Sequence, residues 1–188
     1  METSKNNPGN SIYGWFLQVV VLWVMIFFFI CLSVTPKSPS FTVTNLRVEA
    51  LNSSSSTNST SLAVNLLISN PNKRMGIYYR DMLITLRHES ATVGLESVPG
   101  FYQGAKRKLL GYVLVKARFG QSWRTMAEGV VNLNMVLETE VRYEVFAWKT
   151  KRRRMVFYAL LMVDSMGRMY GEKNVKLHAH KSKTKIES

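Results

Sequence analysis

One cysteine, two aspartates and three histidines are all that 188 residues supply of several side chains that commonly carry chemistry. The single cysteine, Cys31, lies in an apolar run, so no intrachain disulfide can form and cysteine usage does not indicate a compartment. Interchain pairing or acylation of Cys31 stays open beside an inert packing role. The aspartates are Asp81 and Asp164, and the histidines are His88, His178 and His180. No spacing joins them to one another, or to Ser97 or Ser165, as an acid–base or nucleophilic set. His178 and His180 would share one face of a strand and make half a metal site, but no further Cys or His ligands accompany them. Gly100 and Gly104 punctuate turns, and no glycine-rich loop is built to cradle a phosphate. The chain is therefore expected to be no enzyme and to hold neither cofactor nor metal.

Acidic residues are scarce too: 12 against 25 Lys and Arg, a formal charge of +13. Residues 1–35 contribute nothing to it, since Lys5 balances Glu2, so the whole excess follows residue 35. Such a balance favours an acidic surface: lipid head groups, nucleic acid or an acidic wall polymer.

What the chain does have is one long uncharged run. Residues 12–34 carry no charge, and Gln18 is the only strongly polar side chain among them. As a helix they would reach about 34 Å, enough to cross a hydrocarbon core of about 30 Å. The run exceeds the apolar core of a cleaved signal peptide, about 7–15 residues, and its start lacks the usual basic character. An uncleaved signal-anchor is expected over residues 12–34, behind a polar tail over residues 1–11. With a span present, a membrane or wall surface is favoured over nucleic acid, which is not expected as a partner.

Beyond the span the periodicity becomes two. Thr35-Pro36-Lys37-Ser38-Pro39-Ser40 ends the helix, since neither proline continues it, and forms a linker over residues 35–40. Phe41 and Val43 alternate with threonines. Leu62, Val64, Leu66 and Ile68 mark a half-buried strand after a Ser/Thr/Asn loop. Asn70-Pro71-Asn72-Lys73 is a turn; Met82, Ile84 and Leu86 begin another alternating run; Pro99-Gly100 turns again; Val113, Val115, Ala117 and Phe119 mark the next strand. Over Val131–Val145 the odd positions are apolar except Thr139, a stretch long enough (~50 Å) that a bend or two strands are expected. Residues 155–163 are almost wholly apolar, as in a strand covered on both faces. Residues 173–177 suit an edge strand. These elements predict an all-β chain, one antiparallel β-sandwich over residues 41–178, followed by a basic tail over residues 179–188.

Two basic runs stand out: Lys106-Arg107-Lys108 and the stretch Lys149-Thr150-Lys151-Arg152-Arg153-Arg154. They are either solvated turns or sites for an anionic partner, each cation near an acidic leaflet being worth about 1 kcal/mol. Asn52-Ser53-Ser54 and Asn58-Ser59-Thr60 are paired glycosylation sequons in the polar loop, so Asn52 and Asn58 are candidate glycan carriers on a lumenal or extracellular domain. Lys37 and Arg47 after the span lean the other way, although long domains translocate largely regardless of charge.

In order and spacing the chain resembles the plant harpin-induced and non-race-specific-disease-resistance-like proteins, which carry a late-embryogenesis-abundant type 2 domain. The matching pieces are the amino-terminal span, Pro39-Ser40-Phe41-Thr42-Val43, Asn70-Pro71-Asn72 with Met75-Gly76-Ile77-Tyr78-Tyr79, Val98-Pro99-Gly100-Phe101-Tyr102-Gln103-Gly104 with Lys106, and Trp148-Lys149-Thr150. The resemblance implies a fibronectin-III-like sandwich outside the plasma membrane and a non-enzymatic part in pathogen and stress responses, as adaptor or membrane–cell wall adhesion module. A lipid-binding sandwich is the alternative. Partners expected are the membrane, anionic lipid or acidic wall polymer at Lys151, Arg152, Arg153, Arg154, Lys106, Arg107 and Lys108, and proteins not named by the sequence. Phe101 and Tyr102 are expected to pack beneath a loop, and Trp148 to fill the end of the sandwich. The chain departs from the family at Gly104-Ala105-Lys106-Arg107-Lys108, where a further sequon is common, and at Ala159, where cysteine is usual.

Overall fold

The computed structural model describes residues 8–32, 35–49, 59–118, 129–145 and 148–179. The chain divides into two compact units, Met1–Pro36 and Lys37–Ser188. The first holds helix α1, Pro8–Leu32, 25 residues long. It begins four residues ahead of the apolar run, with Pro8 at the first helical position, where its missing N–H costs no hydrogen bond. Over Ile12–Phe29 the mean hydropathy is 2.2, and Trp15, Phe16, Trp23 and Phe27 are all exposed. A helix of this length, apolar on every side, matches a membrane interior and has no face suited to water.

The second unit is antiparallel β-structure. Its strands are β1 (Ser40–Val48), β2 (Ser59–Ser69), β3 (Met75–Tyr79), β4 (Met82–His88), β5 (Ala91–Val98), β6 (Tyr102–Gln103), β7 (Lys108–Arg118), β8 (Val131–Val145), β9 (Trp148–Lys149), β10 (Arg153–Val163), β11 (Met169–Tyr170), β12 (Val175–Lys176) and β13 (His178–Ala179). Hydrogen bonding runs β11-β10-β8-β4-β5-β7-β2-β1-β12, with β3, β6 and β9 attached around one end of β8. The path turns from one layer to the other where β5 meets β7, in register only at Gly94 and Ala117. A Cβ on Gly94 would stand 2.9 Å from Val115 Cγ1, so glycine permits that close approach.

The other side is stitched by the last strands. β12 pairs with β1 and β13 with β10, so the segment between them crosses from one layer to the other. Leu177, at the crossing, is buried and donates its N–H to Phe41 O at 2.9 Å. Phe41 and Phe157 meet in the core at 4.7 Å between ring centroids.

β8 is one continuous strand of 15 residues, so the expected alternative of two strands does not hold. Its partners break instead. On one edge β4 gives way to β3 across Arg80 and Asp81; on the other β10 gives way to β9 across Thr150 to Arg152. Thr139, the one polar residue on the buried face of β8, lies at the first break and donates its hydroxyl to Arg80 O at 3.2 Å. β10 is covered on one face only: Phe157, Ala159, Leu161 and Val163 are buried, while Tyr158, Leu160 and Met162 face outward. The strand signal there was right and the two-sided burial was not, because β10 lies near the margin of the sandwich with only short strands beyond it.

Candidate functional site

The end of the sandwich bearing β3, β6 and β9 is built on three buried amides. Asn70 Oδ1 accepts from Asn72 N at 3.0 Å and from Asn72 Nδ2 at 2.9 Å. Asn70 Nδ2 donates to Met75 O at 2.8 Å and Gly104 O at 3.0 Å. Gln103 Nε2 donates to Ile68 O and to Arg107 O, both at 3.0 Å, and its Oε1 accepts from the Tyr79 hydroxyl at 2.9 Å. Each side-chain amide is engaged at both its oxygen and its nitrogen, as buried polar groups must be to avoid a desolvation penalty of about 1–3 kcal/mol each. Asn70-Pro71-Asn72 is thus more than a turn: it pins the 99–107 loop to β3.

That loop then sets the aromatics. Phe101 stacks on Tyr79 at 4.7 Å, and Tyr102 packs against Tyr78 at 4.6 Å. A Cβ on Gly76 would lie 2.3 Å from the Tyr102 hydroxyl, so glycine lets the Tyr102 ring lie over β3. Phe101 is half-buried, in keeping with the packing expected of it, whereas Tyr102 is 51% exposed and covers no core. Trp148 is 82% exposed, which corrects its expected place at the end of the core. It belongs to β9, a two-residue strand hung on Val145 at the rim.

Beside these rings opens a cleft of about 590 Å³, between the 78–81 and 99–102 segments and the end of β8 with its β9 hairpin. Lys149 Nζ stands 4.7 Å from the centre of the Tyr78 ring, a cation over an aromatic face. Arg142 is fixed by donation from Nε to Thr150 O at 3.0 Å. Arg80 pairs with Glu140 at 3.3 Å. Arg152 completes the cationic lining, and Asp81 holds the N–H of Gly100 at 2.9 Å. Burial pushes the Tyr79 phenol far above its ordinary value, aided by Tyr143. Tyr102 is also raised, by desolvation and then by the Glu144 carboxylate. Both remain neutral donors at physiological pH.

The basic residues singled out in the sequence are not gathered around one cleft. Lys151, Arg152, Arg153 and Arg154 are all exposed, but of the four Arg152 alone lines the cleft. Arg154 is bound to Glu138 at 2.5 Å across β10 and β8, so an acid distant in sequence neutralises it in space. Lys106, Arg107 and Lys108 are exposed on the loop that feeds the amide network, outside the cleft lining. Arg80 and Arg142, which do line it, were not singled out; each stands apart from any charge run in the sequence. Asn52 and Asn58 lie outside the described residues, as does His180. Among the described residues no group of three His, Cys, Asp or Glu is arranged to hold a metal.

No family model matches the chain. Protein NDR1 of Arabidopsis thaliana is 29% identical over 172 residues, covering 85% of this chain and 78% of that protein. NDR1/HIN1-like protein 26 of the same plant is 28% identical over 155 residues, covering 76% of this chain and 73% of its own. Among solved structures, a solution structure of an Arabidopsis thaliana protein aligns with a TM-score of 0.46 at 10% identity, over 70% of this chain and 84% of that one. Over most of its length the chain is thus similar to NDR1 and NDR1/HIN1-like proteins of Arabidopsis thaliana.

Proposed function

We propose that this protein is a non-enzymatic, membrane-anchored module of plant defence and stress responses, held in the plasma membrane by α1, with its sandwich outside the cell. Its task in this reading is adhesion: the domain holds an acidic polymer of the wall while the helix holds the bilayer. The similarity to NDR1 and an NDR1/HIN1-like protein supports the defence and stress role at the coarser level. The observation that carries the adhesion reading is the cleft, where Arg80, Arg142, Lys149 and Arg152 gather around paired tyrosines in a domain that holds the entire +13 excess. What favours it over acyl-chain binding is the core. The rings of Phe41, Phe157 and Tyr79 occupy the space between the layers, and the cleft opens outward with a mixed polar lining.

The test is binding of the full-length chain, in phosphatidylcholine nanodiscs, to immobilised polygalacturonate. Exposed charge attraction weakens with salt as the Debye length falls from about 10 Å at 0.1 M to about 3 Å at 1 M. Retention at low salt with release toward 1 M is the expected result. Failure to bind at low salt overturns the adhesion reading.

A further inference from the structure

We propose that the cleft beside Tyr78 and Tyr102 is a subsite for a uronate residue of an acidic polysaccharide, with the tyrosines as ring platform, the cations facing the carboxylate, and Asp81 and Glu140 accepting from hydroxyls. The proposal rests on the adhesion reading and deepens it by naming the site and the chemical unit it takes.

The shape suits a small rigid ligand: about 590 Å³ lies within the span typical of ligand pockets, about 300–1,000 Å³. The platform is preformed. Tyr102 is fixed from below by Tyr78, lies over Gly76, and follows directly into buried Gln103, whose amide is bound on both sides. An aromatic face held rigid yet half in water is available to the apolar C–H face of a pyranose ring, and ordering it on binding costs little entropy.

The charge pattern narrows the ligand. Four cations and two carboxylates line the cleft, a formal +2. Arg80 already pairs with Glu140, which leaves Arg142, Lys149 and Arg152 to meet an anion. Arg142 is anchored through Nε, so its terminal nitrogens are oriented for a planar carboxylate, the geometry guanidinium matches best. Asp81 and Glu140 would repel a dense polyanion such as a polysulfate, but they accept hydrogen bonds from sugar hydroxyls. A uronate supplies a C–H face, hydroxyls and one carboxylate per ring. A phosphatidylglycerol head group supplies an anion and hydroxyls but neither the C–H face of a ring nor a carboxylate.

The experiment uses full-length protein in phosphatidylcholine nanodiscs and follows binding calorimetrically. The probes are an oligogalacturonate, its methyl ester, dextran sulfate, and phosphatidylglycerol nanodiscs. The oligogalacturonate should bind at least tenfold more tightly than its ester. Tyr102→Ala and Arg152→Gln should each weaken it at least tenfold, while Tyr102→Phe and the triple change of Lys106, Arg107 and Lys108 to Gln leave it within about twofold. A thermal melt checks that each variant is folded; if Tyr102→Ala is not, Arg152→Gln against the triple variant carries the test. Equal affinity for acid and ester, equal or tighter binding of dextran sulfate or phosphatidylglycerol, or full affinity in a folded Arg152→Gln variant overturns the subsite. If polygalacturonate is still retained in a salt-dependent way by the cleft variants, the adhesion reading stands and the site lies elsewhere. If wild type retains none, both fall together.

Discussion

Asn72 and Lys37 exchange two hydrogen bonds of 2.8 Å each, the side-chain amide of the first answering the N–H and C=O of the second as a neighbouring strand would. Lys37 is the first residue of the β unit, so a side chain 35 positions away fixes the chain where the sandwich begins. The same Asn72 amide reaches Asn70 Oδ1 at 2.9 Å, which ties the incoming segment to the network beneath the cleft.

Replacing Asn72 by Ala removes three side-chain hydrogen bonds and leaves Asn70 Oδ1 with the backbone N–H of residue 72 as its remaining donor. At about 1 kcal/mol for each bond, the loss of stability should be about 2–4 kcal/mol, seen as a lower denaturant midpoint with an unchanged slope. Asn72→Asp keeps only the acceptor facing Lys37 N–H and should recover a minor part of that loss. A midpoint within experimental error of wild type would show that the clamp does not contribute to stability.

Leu137 lies fully buried on β8, in register with Phe157 on one side and Ile84 on the other. Leu137→Ala should cost about 2–5 kcal/mol. Glu140→Gln, which breaks only an exposed pair with Arg80, should cost at most about 1 kcal/mol. Chemical denaturation of the two variants would rank them in that order; the reverse order contradicts the strand register.

Because burial raises the Tyr79 phenol above its unfolded value of about 10, the folded state holds that proton after the unfolded chain has released it. Its contribution is complete below about pH 10 and falls as pH rises beyond. Tyr79→Phe should lower stability at pH 7 by about 1 kcal/mol, through the lost bond to Gln103, yet flatten the decline between about pH 10 and 11.5. Tyr143, also raised by burial, leaves a residual slope. Parallel stability–pH curves for wild type and variant would rule out Tyr79 as the source.

If the sandwich is outside the cell, Asn52 and Asn58 should carry glycan. Endoglycosidase should then increase gel mobility in two steps, reduced to one by Asn52→Gln or Asn58→Gln. Unchanged mobility, with the domain spared by protease on intact cells, places it in the cytosol.

Much of this architecture is visible in the sequence because burial on one face forces alternation. Leu62, Val64, Leu66 and Ile68, and the odd positions of β8 from Val131 to Tyr143, lie inside as their spacing predicts. β3 and β5 escape notice for different reasons. Met75-Gly76-Ile77-Tyr78-Tyr79 carries no polar alternation, since its tyrosines are needed on both faces, and β5 is interrupted by Gly94 at the corner between layers. The cleft is less legible still. Arg80 and Arg142 are 62 positions apart and are brought together by pairing of β3 with β8, including Tyr78 opposite Arg142. Runs of like charge are easy to see in a sequence, but proximity across strands is not; the same blindness hid the neutralisation of Arg154 by Glu138.

The crossing at Leu177 also sets an order of events during synthesis. β1 is the first strand to emerge, yet the backbone group that satisfies Phe41 O belongs to Leu177, among the last residues described. Until about 120 further residues have been made, when Gly167 and Arg168 meet the end of β1 ahead of β12, one edge of β1 has no permanent neighbour. Contacts this distant in sequence slow folding and prolong the exposure of strand edges. If α1 is inserted early into the bilayer, as proposed, the chain must keep its first strand unpaired along that edge while translation finishes. Truncation just before residue 175 should leave a chain that inserts normally but is retained by the quality-control machinery of the cell.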